Sequence, residues 1–280
     1  MTKTTSDLAL EPLLSPVREI ARQASQRILE IYESDFSVAA KQDSSPLTEA
    51  DLAAHSAICD GLKALTPEVP ILSEESSKIS YEERSTWRRY WLVDPLDGTK
   101  EFVKRNGEFT VNIALVEDHE VVLGVVHVPV SDTAFYAARG VGAFKSTNGE
   151  GSQATQLRTR PVDPEKIVVS GSRSHGGEAL QAFTRSLPGE VELISKGSSL
   201  KLCLVAEGLA DIYPRLGPTS EWDTAAAQCV VEQAGGTVTN LQFERLRYNA
   251  KADILNPHFL VIGDRSFGWE KLVRGALGSQ

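Results

Sequence analysis

The sequence predicts an α/β fold of layered helices and sheets, and three observations support it. Apolar residues recur at helical spacing near the N-terminus, β-branched runs follow in the middle, and strand-like and helix-like stretches alternate after Pro164. With 280 residues, 41% of them hydrophobic, the chain can bury one large core or two smaller ones.

Ser15-Pro16 reads as an N-cap with proline at the first helical position, and Leu13, Val17, Ile20, Ala24, Ile28 and Ile31 continue one apolar face to about Ser34. After a polar stretch over 41–46, a second helix capped near Thr48 would bury Leu52, Ile58, Leu62 and Leu65 and carry Asp51 in its first turn. Pro70-Ile71-Leu72 enters Ser73-Glu74-Glu75, and Tyr90-Trp91-Leu92-Val93 ends at Asp94-Pro95, so two acidic clusters sit where short buried strands terminate. Residues 109–116 and 121–128 form a hairpin around Glu117-Asp118-His119-Glu120, followed by a strand over 133–138. Strand 167–170, a helix from Gly176, strand 191–194, a helix from Ser198, strand 210–213 and a helix from Asp223 follow. A boundary near 162 divides the chain into an N-terminal α+β subdomain, 1–162, with the antiparallel sheet and most acidic residues, and a C-terminal α/β subdomain, 163–280.

A net charge of −9 and a pI near 5.2 argue against a nucleic-acid polymer as partner, while a small anion remains acceptable if bound cations reverse the local field. Cys59, Cys203 and Cys229 lack Cys-x-x-Cys spacing and suit a reducing cytoplasm. No run approaches the ~20 apolar residues that span a bilayer, and the N-terminus lacks a signal-peptide pattern.

Asp94-Pro95-Leu96-Asp97-Gly98-Thr99 holds two carboxylates around a proline that fixes φ and removes a donor, a geometry able to aim both carboxylates and the Leu96 carbonyl into one pocket. Mg²⁺ takes oxygen ligands, which Glu74, Asp94, Asp97 and Asp223 could supply. Taken singly, these segments also suit a polar turn, a solvated face, or, for Asp223, an N-cap. His55 and His127 read as structural.

Ser73-Glu74-Glu75, Asp94-Pro95-Leu96-Asp97-Gly98-Thr99 and Trp222-Asp223-Thr224-Ala225-Ala226 resemble, in order and at similar intervals, signature segments of the inositol monophosphatase superfamily. Ser45-Pro46-Leu47-Thr48-Glu49-Ala50-Asp51 is similar to a further one, so the resemblance runs from about residue 13 to 262. Lys100-Glu101-Phe102 and the stretch from Lys104 to Asn112 look like the bisphosphate nucleotidase branch, whereas inositol monophosphatases usually carry Thr-Thr-Asn-Phe or a close variant at the first position.

The resemblance implies the sugar-phosphatase architecture, an α-β-α-β-α sandwich, with two or three Mg²⁺ ions at the junction of its halves. Glu74, Asp94 and the Leu96 carbonyl would hold one ion, and Asp94, Asp97 and Asp223 a second. Thr99 would orient the attacking water together with Asp51, Glu74 would touch that water, and Gly98 would border the reacting phosphate with them. Ser198 and Lys201 open a helix suited to a phosphate or ribose oxygen. His175, in Ser172-Arg173-Ser174-His175, would lie near the nucleotide, and Arg215 offers a fork for the non-reacting phosphate, with solvated surface as its alternative.

The implied reaction is Mg²⁺-dependent hydrolysis of adenosine 3′,5′-bisphosphate to AMP and phosphate, with phosphoadenylyl sulfate as a second substrate and Li⁺ as inhibitor. Inositol monophosphate or fructose 1,6-bisphosphate are rival substrates, and a silent nucleotide sensor or a structural Ca²⁺ protein are rival classes. The expected state is a monomer or homodimer, cytoplasmic or peripheral on the inner membrane.

Overall fold

The computed structural model describes residues 9–34, 46–76, 78–147, 153–171 and 178–277. Two helices come first, α1 (Glu11–Tyr32) and α2 (Pro46–Leu65), then β1 (Ile71–Ser73), a 3-10 turn (Glu74–Ser76) and α3 (Tyr81–Arg84). β2 (Arg89–Asp97), α4 (Thr99–Val103), β3 (Thr110–Glu117), β4 (Glu120–Val128), β5 (Thr133–Ala138), β6 (Gly142–Thr147) and β7 (Thr155–Gln156) complete a sheet ordered β1 to β7, antiparallel except for the β1–β2 pair. The second sheet takes β8 (Lys166–Gly171), α5 (Glu178–Ser186), β9 (Glu190–Ser195), α6 (Leu200–Ala206), β10 (Ile212–Arg215), α7 (Glu221–Gln233), β11 (Thr237–Asn240), β12 (Phe259–Ile262) and α8 (Trp269–Leu277). Its order is β11-β12-β10-β8-β9.

Period-two burial explains the layering, because consecutive strand residues face opposite sides. Trp91, Val93, Ile113 and Val125 of the first sheet pack with Val17, Ile28, Ile58 and Leu62 of α1 and α2. Leu92, Ala114 and Val126 point the other way, into a core shared with α6, α7, Val168, Tyr213 and Val261. Ile167, Val169, Ile212 and Leu260 bury the far face of the second sheet against Phe183 of α5 and Trp269 and Val273 of α8. The result is the expected α-β-α-β-α order, with α6 and α7 as the central layer.

Several boundaries differ from the sequence expectation. α1 starts a turn before Ser15, with Pro12 in its first turn and Pro16 inside it, because Leu13 and Leu14 are buried and draw that turn onto the core. α2 starts at Pro46, which moves Asp51 to the second turn; its buried ridge is Ala50, Ala54, Ile58 and Leu62, and Leu52 is 46% exposed. The small residues let α2 approach α1 closely, to the point that a Cβ on Gly61 would meet Ile20 Cγ1 at 2.7 Å. β2 does not stop at Asp94 but runs to Asp97. The β3–β4 loop is two residues, Asp118 and His119, both at positive φ, as a type I′ turn requires. β10 begins two residues after Ala210, and α7 begins at Glu221, with Ser220 as N-cap in place of Asp223. β6, β7, β11 and β12 are strands beyond those the residue pattern predicts. His127 is structural as read, buried between Ser25 Oγ (2.7 Å) and Asp132 Oδ1 (3.1 Å). Ser172-Arg173-Ser174-His175, Gly176 and residues 41–45 lie outside the described residues.

α7 reaches the first sheet through Gly124 of β4, where a side chain would overlap the Ala226 carbonyl and stand 2.9 Å from its Cα. Gly124→Ala is expected to lower stability by about 2 kcal/mol or more through overpacking, read as a fall in the urea midpoint.

Candidate active site

Local geometry brings the acidic segments together. β1 pairs in parallel with β2, Ser73 opposite Val93, so Glu74 leaves β1 beside Asp94. From Asp94 to Asp97 β2 advances three residues while β3 moves two, from Asn112 to Thr110. This bulge houses Pro95, which has no N–H to offer a ladder. The Leu96 N–H turns back to Asp94 Oδ1 at 3.0 Å, while the Leu96 side chain packs in the core with Phe102 and Phe109, leaving its backbone for the site. Gly98, at φ 98°, ends the turn; a Cβ would be strained there and 3.1 Å from Ser198 Cβ. Thr99, the first residue of α4, is exposed.

Asp223 arrives from the C-terminal half as the third residue of a capping box, its Oδ2 accepting from the Ser220 N–H at 2.9 Å. Asp94, Asp97 and Asp223 each present a ligand atom within 4.8 Å of the others. Glu74 lies beside Asp94 and feels Asp97 and Glu75. Asp51 joins from α2: its Oδ1 is buried without a hydrogen-bond partner, and its charged neighbours are Glu75 and Glu74.

Burial and mutual repulsion act together on these groups. Burial, with Asp97, Asp223, Glu74 and Asp51 adding to it, holds Asp94 well above the usual carboxylate range. Burial reinforced by Asp97 raises Asp223 to about 7, and burial reinforced by Glu75 and Glu74 raises Asp51 to about 8. Glu74 moves up for the same reasons. A divalent cation inverts this logic by making every ionised carboxylate favourable. The all-oxygen donor set suits a hard cation such as Mg²⁺, Ca²⁺ or Mn²⁺, and the orphaned Asp51 oxygen is a further acceptor at the edge of the cluster.

A cleft of about 140 Å³ opens beside Asp97 and Asp223, lined among others by Gly98, Ser198, Lys201, Tyr213, Arg215 and Phe259. Lys201 is 8% exposed and its Nζ donates to the Ser198 (2.7 Å) and Lys196 (3.3 Å) carbonyls, so it shapes the loop as well as charging the cleft. Arg215, half-buried along the cleft, donates through Nε to Thr219 Oγ1 (2.7 Å) and through Nη2 to the Pro218 carbonyl (2.9 Å). Sequence reasoning overlooked Asn112, Ser199, Lys196 and Phe259. For Asn112 a signal existed, a lone amide in the apolar run Val111-Asn112-Ile113.

The inositol monophosphatase family model matches residues 9–266. The chain belongs to the inositol monophosphatase family. Within that family it is 48% identical to the 3′(2′),5′-bisphosphate nucleotidase CysQ of Salmonella typhimurium (strain LT2) over 251 residues, 89% of this chain and 99% of the relative. The namesake from Haemophilus influenzae is 40% identical over 262 residues, 94% of this chain and 97% of that one. Among solved structures, CysQ from Bacteroides thetaiotaomicron matches with a TM-score of 0.83 and 41% identity, covering 93% of this chain and all of that one. An inositol monophosphatase from Zymomonas mobilis shares the fold, with a TM-score of 0.75 at 24% identity. The acidic cluster of this family member is thus its candidate metal centre, and among the described residues no helix is long and apolar enough to cross a membrane.

Carboxylates whose folded pKa lies above the unfolded value remove stability as pH rises from the unfolded value, near 4, to the folded one. With Asp51 near 8 and Asp223 near 7, the metal-free protein is expected to melt lower at pH 8 than at pH 5.5. Saturating Mg²⁺ should raise the pH 8 midpoint and narrow the gap in thermal melts with EDTA or with the cation.

Proposed function

We propose that this chain is a Mg²⁺-dependent 3′(2′),5′-bisphosphate nucleotidase that hydrolyses adenosine 3′,5′-bisphosphate to AMP and phosphate. The observation that carries it is the convergence of Asp94, Asp97 and Asp223 beside a cleft supplied with Lys201, Arg215 and aromatic walls. The close relatives named as bisphosphate nucleotidases support the choice of substrate.

Glu74, Asp94, Asp97, Asp223 and the Leu96 carbonyl are assigned to hold two or three Mg²⁺ ions. When bound, such ions neutralise the phosphate and acidify a coordinated water. The chain's own residues divide the remaining work. The Thr99 hydroxyl, which both donates and accepts, orients the attacking water, and Asp51 accepts the threonine proton through its unpartnered oxygen. Glu74 touches the same water, and Gly98 leaves room for the reacting phosphate. Ser198 and Lys201 meet the ribose or the second phosphate, and Arg215, two of whose donor nitrogens are tied to Thr219 and Pro218, turns its remaining N–H groups to that phosphate. Tyr213 and Phe259, edge to face at 6.0 Å, supply apolar wall for the base. His175 belongs to the proposal on its sequence alone. Hydrolysis of phosphoadenylyl sulfate, a place in sulfate assimilation, Li⁺ sensitivity, a cytoplasmic or peripheral membrane location and a monomeric or dimeric state complete the reading.

Asp97→Asn should lower kcat about 10³-fold, roughly 4 kcal/mol of barrier, at saturating Mg²⁺. Phosphate release from adenosine 3′,5′-bisphosphate, inositol 1-phosphate and fructose 1,6-bisphosphate, each with Mg²⁺, EDTA or added Li⁺, tests the substrate. Preference for the nucleotide is expected; preference for a sugar phosphate keeps the chemistry and overturns the substrate, and no release from any overturns the enzyme.

A further inference from the structure

Asp97 is partly exposed, at the end of a bulge, yet one of its oxygens is held from two directions by a residue 102 positions away. The Ser199 N–H donates to Asp97 Oδ2 at 2.7 Å, and Ser199 Oγ lies 3.0 Å from the same oxygen. Ser199 Oγ also stands 2.7 Å from the carbonyl of Asp223, the residue that brings the C-terminal carboxylate. From the third side it accepts from Asn112 Nδ2 at 2.9 Å. The Asn112 carbonyl takes the Thr110 hydroxyl proton at 3.1 Å, so the 2.8 Å contact between Thr110 and Ser198 is donated by Ser198.

Ser199 and Asn112 are each 1% exposed; Asn112 lies behind the cleft wall, and Ser199, within that wall, has its hydroxyl enclosed by Asp97, Asn112 and the Asp223 carbonyl. Ser198, immediately before Ser199, is held at φ 45°, a costly conformation for a residue with a Cβ. Lys201 Nζ on the Ser198 carbonyl, together with the Thr110 contact, keeps it there. That turn aims the Ser199 N–H at Asp97.

We propose that Ser199, oriented by Asn112, is a positioning residue that turns Asp97 so that its second oxygen faces the cation and couples it to Asp223. This rests on reading the cluster as a Mg²⁺ site. Partners behind a metal-binding carboxylate fix its orientation, and their loss typically weakens metal binding 10–100-fold. Two residues acting through one hydroxyl should also fail to add.

The test is calorimetric titration of Mg²⁺ into metal-free wild type, Ser199→Ala, Asn112→Ala and the double variant, without substrate, with melting in EDTA as the fold control. Ser199→Cys, nearly isosteric, replaces Ser199→Ala if the alanine variant does not fold. Each single change should weaken Mg²⁺ about tenfold and the double variant little more. At saturating Mg²⁺, kcat should fall while KM stays within about threefold of wild type, since both residues act through the Asp97 carboxylate. Folded variants with wild-type Mg²⁺ affinity, or strictly additive losses, would overturn the positioning role while leaving the metal site intact. A wild-type chain that takes up no Mg²⁺ would overturn both the site reading and the role built on it.

Discussion

The central constraint is the crowding of ionisable oxygens from both halves of the chain into one small volume. Asp94 is 1% exposed, lies within ligand distance of Asp97 and Asp223, and feels the charge of Glu74. Among the described residues no lysine or arginine forms an ion pair with any of the three aspartates. Like charges at such separations oppose folding unless protons or a cation intervene. The fold must therefore hold the group together by other means.

It does so with backbone devices that are individually ordinary. A bulge admits Pro95, an internal turn ties Leu96 to Asp94, and a capping box fixes Asp223 at the start of α7. α7 itself is clamped between the sheets by small residues, Ala225, Ala226 and Ala227 on the helix and Gly124 on β4. At the same end of α7, Glu221 is buried and accepts from the Asn249 N–H at 2.8 Å, while the Asn249 side chain meets Arg84. Apolar packing from the middle layer thus supplies the force that the carboxylates resist.

Much of this was legible in the chain. β-branched runs located β3 and β4, the short apolar stretch from Thr133 located β5, and the order of the acidic segments located the cluster. Errors arose where tertiary packing overrides local pattern. Leu52 has the helical spacing of a core residue but faces away, because the ridge of Ala50 and Ala54 packs more closely on α1. Asp223 sits in Ser220-Glu221-Trp222-Asp223, a capping-box spacing that makes Ser220 the cap and frees the aspartate to turn inward. β7 and β11 are short edge strands, β12 is four residues held between β10 and β11, and β6, although it forms a hairpin with β5, carries no β-branched residue before Thr147. Gly197-Ser198-Ser199-Leu200-Lys201 was legible as a helix opening but gave no sign of the partners of Ser199: Asn112 and Asp97 lie 87 and 102 residues away, and only the folded chain assembles them.

The position of α7 bears on how the molecule comes to exist. A helix encoded after most of the second sheet is the packing surface for the first, so the first seven strands, although nearly sequential, leave the synthesis machinery with one face bare. That half must wait, partly wetted, for residues 221–233 before its interior closes. Closure and the arrival of Asp223 are one event, since the helix that seals the sheet carries the carboxylate at its first turn. A divalent ion that needs Asp223 together with Asp94 and Asp97 must therefore wait for α7 to dock.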